Sequence, residues 1–326
     1  MSKPVVLVTQ TTVAVEAQQL LRDAGLEIVF MRAPIDEKAL LAEFSRHQVV
    51  AVLLRGPAPF TPAVFAGAKD LRIIAKHGAG IDSVNLESAT ASGVAVMVTE
   101  GANGDAVAEH ALALMLSLAR ELPRFDRELR KGVWKNLDYR ARDFRGRSVG
   151  IVGYGQIGSR TARLASACGA RVVIHSRTRS DLSAGMEWED SLDGLLARVD
   201  ILSLHCPLTP ETRGLIGEKQ LRAMKRGALI INTSRGKLID EPALIAALRS
   251  GHLGGAGLDT YATEPPDAAN PLFSMPNVIL TPHIASSTLD AGVQMGTIAA
   301  RNIISYLRGE IYDPKNFINP QVHRSR

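Results

Sequence analysis

The sequence predicts two doubly wound parallel α/β sheets in one chain, one inserted into the other. Three observations carry this. Short β-branched apolar runs alternate with helical patterns almost throughout. A glycine-rich turn opens a second such series near the middle of the chain. A last helical pattern, about 288–308, follows that second series and could cross back to the first. With 326 residues the chain has enough length for two sizeable cores. Near-continuous apolar strands suit parallel sheets covered on both faces.

The elements follow in order. "VVLVT" (5–9) reads as a strand and 14–24 as a helix. "VVAVLLR" (49–55) and "LRIIAK" (71–76) are strands around a helix at 61–68. "VAVMV" (94–98) then leads to a long apolar helix from about 104. The second series contains "SVGIVG" (148–153), a helix at 156–168, and "RVVIH" (171–175). It continues with "ILSLH" (201–205), "ALIINTS" (228–234), "GGAGLDT" (254–260) and "NVILTPH" (277–283). The expected domains are residues 1–100 with 288–326, and residues 101–287.

Composition excludes several classes. The hydrophobic fraction is 46%, the charged fraction 22% and the net charge +5, as in a soluble globular protein. Basic residues in "RELPRFDRELRK" (120–131) alternate with acids, which reads as a solvated helix face. "RARDFRGR" (140–147) reads as a surface linker, so no nucleic-acid partner is expected. The opening "MSKPVVLVTQ" is too short an apolar run for a signal peptide, and no stretch has the length of a membrane span. Two cysteines, Cys168 and Cys206, lie in apolar surroundings without a C-x-x-C pair. They are expected to be buried free thiols in a reducing, cytoplasmic compartment, and no metal site is expected. The apolar helix 106–119 carries Glu109 and His110 and is expected to be buried between domains or subunits.

"GIVGYGQIGSRTARLA" places Gly153, Gly155 and Gly158 as G-x-G-x-x-G between a strand and a helix. The first glycine permits a tight turn, the second lets backbone approach a pyrophosphate, and the third lets helix and strand pack closely. This identifies a Rossmann-type dinucleotide site, with Gly153, Gly155, Gln156, Ile157 and Gly158 as cofactor contacts. The strand 171–175 ends where the adenosine ribose should lie. An acid there would favour NAD(H). Here the chain reads Ser176, Arg177, Thr178, Arg179. A guanidinium suits a 2′-phosphate, so NADP(H) is favoured and NAD(H) remains possible. The other reading leaves Arg177 and Arg179 as loop charges.

Polar groups also cluster at later strand ends: Arg235 in "NTSRG", Asp259 and Glu264 in "GLDTYATEPP", and His283 in "TPHIAS". With "HGAGIDSVNL" (77–86), "GANGDAVAEHALALML" (101–116) and "PLTPETRGLI", these motifs cover nearly the whole chain. The chain resembles the D-isomer-specific 2-hydroxyacid dehydrogenases, the family of D-3-phosphoglycerate dehydrogenases and glyoxylate/hydroxypyruvate reductases. The resemblance implies a Rossmann cofactor domain inserted into a flavodoxin-like substrate domain. It further implies that Arg235 grips the substrate, that His283 is the acid/base, and that Glu264 is its partner. Asp259 would face the nicotinamide end, and His205, Pro207, Thr212 and Thr233 would line the cofactor. The backbone of Ala79 and Gly80 would hold the substrate carboxylate. The chemistry requires these types: a cation stabilises charge developing on a carbonyl oxygen, and an imidazole delivers a proton near neutral pH.

Arg55 ends the strand 49–55, where a similar arginine in phosphoglycerate dehydrogenases helps hold the phosphate; a carboxylate or surface contact is the other reading. About 40 residues follow "TPHIAS", which is read as too few for the regulatory domains of long phosphoglycerate dehydrogenases. The expected activity is therefore reduction of glyoxylate or hydroxypyruvate, with D-3-phosphoglycerate dehydrogenase as the alternative. A dinucleotide-sensing binding protein without turnover is the remote one. A homodimer acting on a small 2-oxo or 2-hydroxy acid is expected.

Overall fold

The computed structural model describes residues 3–134 and 139–324. They form two compact units, Met1–Asn103 with Thr288–Arg326, and Gly104–Ser287.

In the first unit the chain runs β1 (Val5–Val8), α1 (Val15–Asp23), β2 (Glu27–Phe30), α2 (Glu37–Arg46), β3 (Val49–Leu54), α3 (Pro62–Gly67), β4 (Ile73–Lys76), α4 (Leu86–Ala91) and β5 (Ala95–Met97). Its all-parallel sheet has the order β2-β1-β3-β4-β5, the flavodoxin-like arrangement. Helix starts are set by short polar caps. Asp36, Thr61 and Asn85 accept from the backbone amides of Ala39, Val64 and Ser88, and Pro62 occupies the first turn of α3.

The second unit contains α5 (Gly104–Ala119), α6 (Leu122–Arg130), β6 (Ser148–Val152), α7 (Gln156–Ala167), β7 (Arg171–His175), β8 (Met186–Trp188), α8 (Leu192–Arg198), β9 (Ile201–Leu204), α9 (Glu218–Ala223), β10 (Ala228–Asn232), α10 (Glu241–Arg249), β11 (Leu253–Leu258) and β12 (Val278–Leu280). Its parallel sheet has the order β12-β11-β10-β9-β6-β7-β8. The order reverses at β6, which lies between β7 and β9. In open α/β sheets ligands bind beyond the strand C-termini at such a reversal. The chain then returns to the first unit with α11 (Leu289–Leu307) and α12 (Gln321–Arg324). The fold class expected from the sequence is the one observed.

One expectation is corrected. Cys168 is exposed, because it is the C-cap of α7 rather than a residue of its packed face; Cys206 is buried as expected. Part of the apolar face of α5 is covered inside the second unit. Ala111, Leu114, Met115 and Ala119 share one core cluster with Val149, Ile151, Ala162 and Ile231. The sequence reading also passed over β2 and β8. Both are short edge strands whose residues are largely half-exposed; β8 has no continuous apolar run, and that of β2 is only Ile28 to Met31.

The exposed edge of β5 is closed by the C-terminal segment. Fully buried Asn319 accepts from Val96 N at 2.7 Å and donates to Val94 O at 2.9 Å and Thr90 Oγ1 at 3.1 Å. Each net hydrogen bond contributes about 0.5–1.5 kcal/mol, and stranded buried partners add to the loss. Asn319→Ala should therefore destabilise the first unit by about 2–4 kcal/mol, read as faster amide hydrogen exchange at Val96.

Candidate active site

The glycine turn after β6 separates two kinds of requirement. Gly153 has φ +92°, and a Cβ there would lie 2.7 Å from Cys206 N; at Gly158 a Cβ would lie 2.0 Å from Gly153 O. These two glycines are demanded by the protein itself. A Cβ on Gly155 would meet nothing within 4 Å. Gly155 is also the N-cap of α7, with no side chain capping the helix and no acid in its first turn. An open approach to an uncapped helix N-terminus fits a pyrophosphate. Exposed Gln156 and half-buried Ile157 follow in the first helical turn.

Neighbouring strand ends complete this rim. His205 follows β9; burial pushes its pKa down to about 4, and Ser203 Oγ lies 2.9 Å from its Nε2. The loop after it is folded by Thr212, which donates to Pro207 O at 2.7 Å and accepts from Thr209 N at 2.7 Å. Thr233, after β10, has a buried hydroxyl without a partner among the described residues, as does Thr260 after β11. Buried unpaired hydroxyls beside a ligand crevice are groups a ligand can satisfy.

Beyond β7, Ser176 is half-buried and Arg177 and Thr178 are exposed. Arg179 is engaged elsewhere. It pairs with Asp190, and its guanidinium lies 5.8 Å from the Trp188 ring centroid. Glu211 is held below its usual pKa mainly by a hydrogen bond from Thr209, with the charge of Arg177 adding to the effect.

The residues after β10, β11 and β12 come together. His283 Nδ1 lies 2.7 Å from Glu264 Oε2, and Glu264 Oε1 accepts from Tyr261 N at 3.0 Å. The hydrogen bond that His283 Nδ1 donates to Glu264 raises the pKa of His283 against the effect of burial. Burial alone would push Glu264 upward, but its bonds to His283 and the Tyr261 amide, together with the charges of His283 and Arg235, hold it below its usual range. The imidazole is therefore biased toward its protonated form, with Nε2 left outward from the carboxylate bond. Arg235 stands near enough for its charge to oppose protonation of His283.

The Arg235 loop reaches this position through a close approach. A Cβ on Gly236 would lie 1.9 Å from Tyr261 C, so only glycine lets the two loops touch. Asn232 braces the turn, donating to Arg235 O at 2.8 Å and accepting from Ser234 N at 3.0 Å. Arg235 itself donates to Ser234 O at 2.9 Å.

Asp259 is held by donors from the protein. Its side chain is 1% exposed. Oδ1 accepts from Thr281 Oγ1 at 2.6 Å and Ile284 N at 2.9 Å, and Oδ2 accepts from Ala285 N at 2.8 Å. These bonds hold the backbone on both sides of His283, whose φ of +53° is rare for a residue with a Cβ.

In the first unit, Arg55 follows β3 at that sheet's own reversal point, between β1 and β3. Thr9 Oγ1 donates to Arg55 O and accepts from Arg55 N, both at 2.8 Å, while the guanidinium donates to Thr12 O at 2.5 Å. Burial lowers its pKa. His77, next to it beyond β4, is held at about 4 by burial and by the charge of Arg55. The following loop is pinned at Gly78, which exchanges bonds with Thr99, while Ala79 is exposed and Gly80 half-buried.

Residues 112–285 match a family described as the D-isomer specific 2-hydroxyacid dehydrogenase NAD-binding domain. A D-3-phosphoglycerate dehydrogenase from Mycobacterium bovis is 39% identical over 95% of this chain, which spans 58% of that relative's length. A glyoxylate reductase from Korarchaeum cryptofilum is 36% identical, with 99% of this chain and 98% of the relative covered. The crystal structure of TT0316 protein from Thermus thermophilus superimposes with a TM-score of 0.87 at 38% identity, covering 96% of this chain and 99% of the other.

The Glu264 carboxylate is the first cause of the raised His283 pKa. In Glu264→Gln the His283 pKa should therefore fall, followed by the pH dependence of its ring resonances in NMR.

Proposed function

The chain belongs to the D-isomer specific 2-hydroxyacid dehydrogenase family, and on that premise we propose that it reduces a small 2-oxo acid, glyoxylate or hydroxypyruvate, to the 2-hydroxy acid. The observation that carries this reading is the 2.7 Å pair of His283 and Glu264 beside Arg235. When bound, the nicotinamide supplies the hydride. Arg235 binds the substrate and stabilises negative charge as it builds on the carbonyl oxygen. His283, whose charged form Glu264 favours, donates its Nε2 proton to that oxygen; in the reverse direction the neutral ring accepts it. The amides of Ala79 and Gly80 offer donors for the substrate carboxylate. Burial of Arg55 beyond β3 favours, as a second reading, an acid with a further anionic group such as 3-phosphoglycerate.

The preferred cofactor in this reading is NADP(H). Ser176 carries no charge to repel a 2′-phosphate, and Arg177 is exposed beside it. The protein is also read as a cytoplasmic homodimer. Leu129 and Trp134, on and just after α6, are 55% and 77% exposed and offer an apolar surface for a second copy, which sedimentation would detect.

His283→Ala should lower turnover strongly while leaving cofactor affinity close to that of the unmodified protein. Arg235→Ala should weaken both substrate binding and turnover, because it meets ground state and transition state alike. Assays of glyoxylate, hydroxypyruvate and phosphohydroxypyruvate with each cofactor test the reading, and absence of turnover with every acid would reject it. Reduction needs protonated His283, so its rate falls as pH rises through that pKa; in Glu264→Gln this fall should occur at lower pH.

Charge-assisted hydrogen bonds contribute about 1.5–3 kcal/mol, and the exposure of Arg177 places its contact at the low end. Arg177→Ala should thus raise the KM for NADPH about tenfold and leave NADH nearly unchanged. Adding Ser176→Asp should reverse the preference. A preference for NADH in the unmodified protein would overturn the cofactor assignment.

A further inference from the structure

His110 lies on α5 among small apolar residues, and its ring is directed at the turn that carries His283. Its Nε2 is 3.0 Å from Thr281 Oγ1 and 3.8 Å from Asp259 Oδ1. We propose that His110 is a positioning residue that, through Thr281 and Asp259, fixes the backbone on both sides of His283. This rests on the reading of His283 as the proton donor.

The direction of each bond follows from counting protons. The Thr281 hydroxyl has one hydrogen, and at 2.6 Å it is given to Asp259 Oδ1. Thr281 then presents only lone pairs to His110, so the hydrogen between them sits on His110 Nε2. Asp259 in turn accepts the amides of Ile284 and Ala285. The chain of bonds runs from a rigid helix to the two residues after His283. Tyr261 adds a second anchor, its hydroxyl donating to Thr281 O at 3.0 Å.

A side chain needed only to fill space would require no donor at this atom. The His110 side chain is only 22% exposed, so solvent is a poor substitute for that donor. Its loss leaves the Thr281 hydroxyl free to turn away from Asp259, which then keeps two of its three donors. The turn at Thr281–Ala285, held in a rare backbone conformation at His283, would loosen.

The test uses the full chain with His110→Leu and His110→Gln. Side-chain nitrogen shifts of the unmodified protein should show Nε2 protonated; a bare Nε2 with the hydrogen on Nδ1 overturns the proposal. His110→Leu should speed amide hydrogen exchange at Ile284 and Ala285 about tenfold relative to Ile231. It should lower kcat for 2-oxo acid reduction about tenfold while the KM for the cofactor stays within about twofold. His110→Gln, which keeps an N–H donor, should hold both exchange and kcat within about threefold of the unmodified protein. Unchanged exchange and kcat in His110→Leu overturns the proposal, as does a Gln variant that falls as far as Leu. If the unmodified protein reduces no 2-oxo acid, the enzymatic reading fails, and the nitrogen shifts and exchange rates still decide the role of His110.

Discussion

A carboxylate withdrawn from water costs several kcal/mol unless donors replace the lost hydration. Asp259 meets that condition with three: the Thr281 hydroxyl and the amides of Ile284 and Ala285. The need to satisfy this one buried charge dictates the path of the loop after β12. The loop must fold back over the end of β11, and His283 takes the left-handed conformation that the fold-back requires. The Glu264 pair, the charge state of the imidazole and the position of its free nitrogen all depend on that path.

The same rim is shaped by contacts that only a missing Cβ permits. Gly158 lies against the carbonyl of Gly153, and Gly236 lies against the backbone of Tyr261. The first contact closes α7 onto β6, so the uncapped helix N-terminus points past Gly155 into open space. The second brings Arg235 to the residues that hold Glu264. Two loops separated along the chain thus become one surface because their backbones touch. Polar side chains alone, with ordinary flexibility, would lose conformational entropy in reaching the same arrangement.

The strand ends show how far a linear pattern reads. The expected strands 49–55, 148–153, 201–205, 228–234, 254–260 and 277–283 each run past the ladder that forms. The observed strands stop at Leu54, Val152, Leu204, Asn232, Leu258 and Leu280. The overrun residues include Arg55, Gly153, His205, Thr233, Asp259 and His283. The apolar run fades gradually in the sequence, whereas pairing in each sheet stops at the last residue of the ladder, one to three residues short of the expected end. Arg179 has a different lesson. By type it matched Arg177 as a phosphate ligand, but Asp190 and Trp188 on the neighbouring β8 side occupy it. The strand that brings them there is a short edge strand with no distinct apolar signature.

The sequence by itself determined the two parallel sheets, the glycine turn, and the set of arginine, glutamate and histidine side chains from which the site is built. Those follow from local rules: apolar periodicity decides strand or helix, and glycine spacing admits a turn that other residues cannot make. Only the tertiary structure decided that Asp259 faces inward, that Cys168 faces water, and that His110 reaches the turn beside His283. Each of these depends on which groups lie across a gap between elements distant in the chain, and burial and hydrogen-bond satisfaction are properties of that assembled neighbourhood rather than of any stretch of residues.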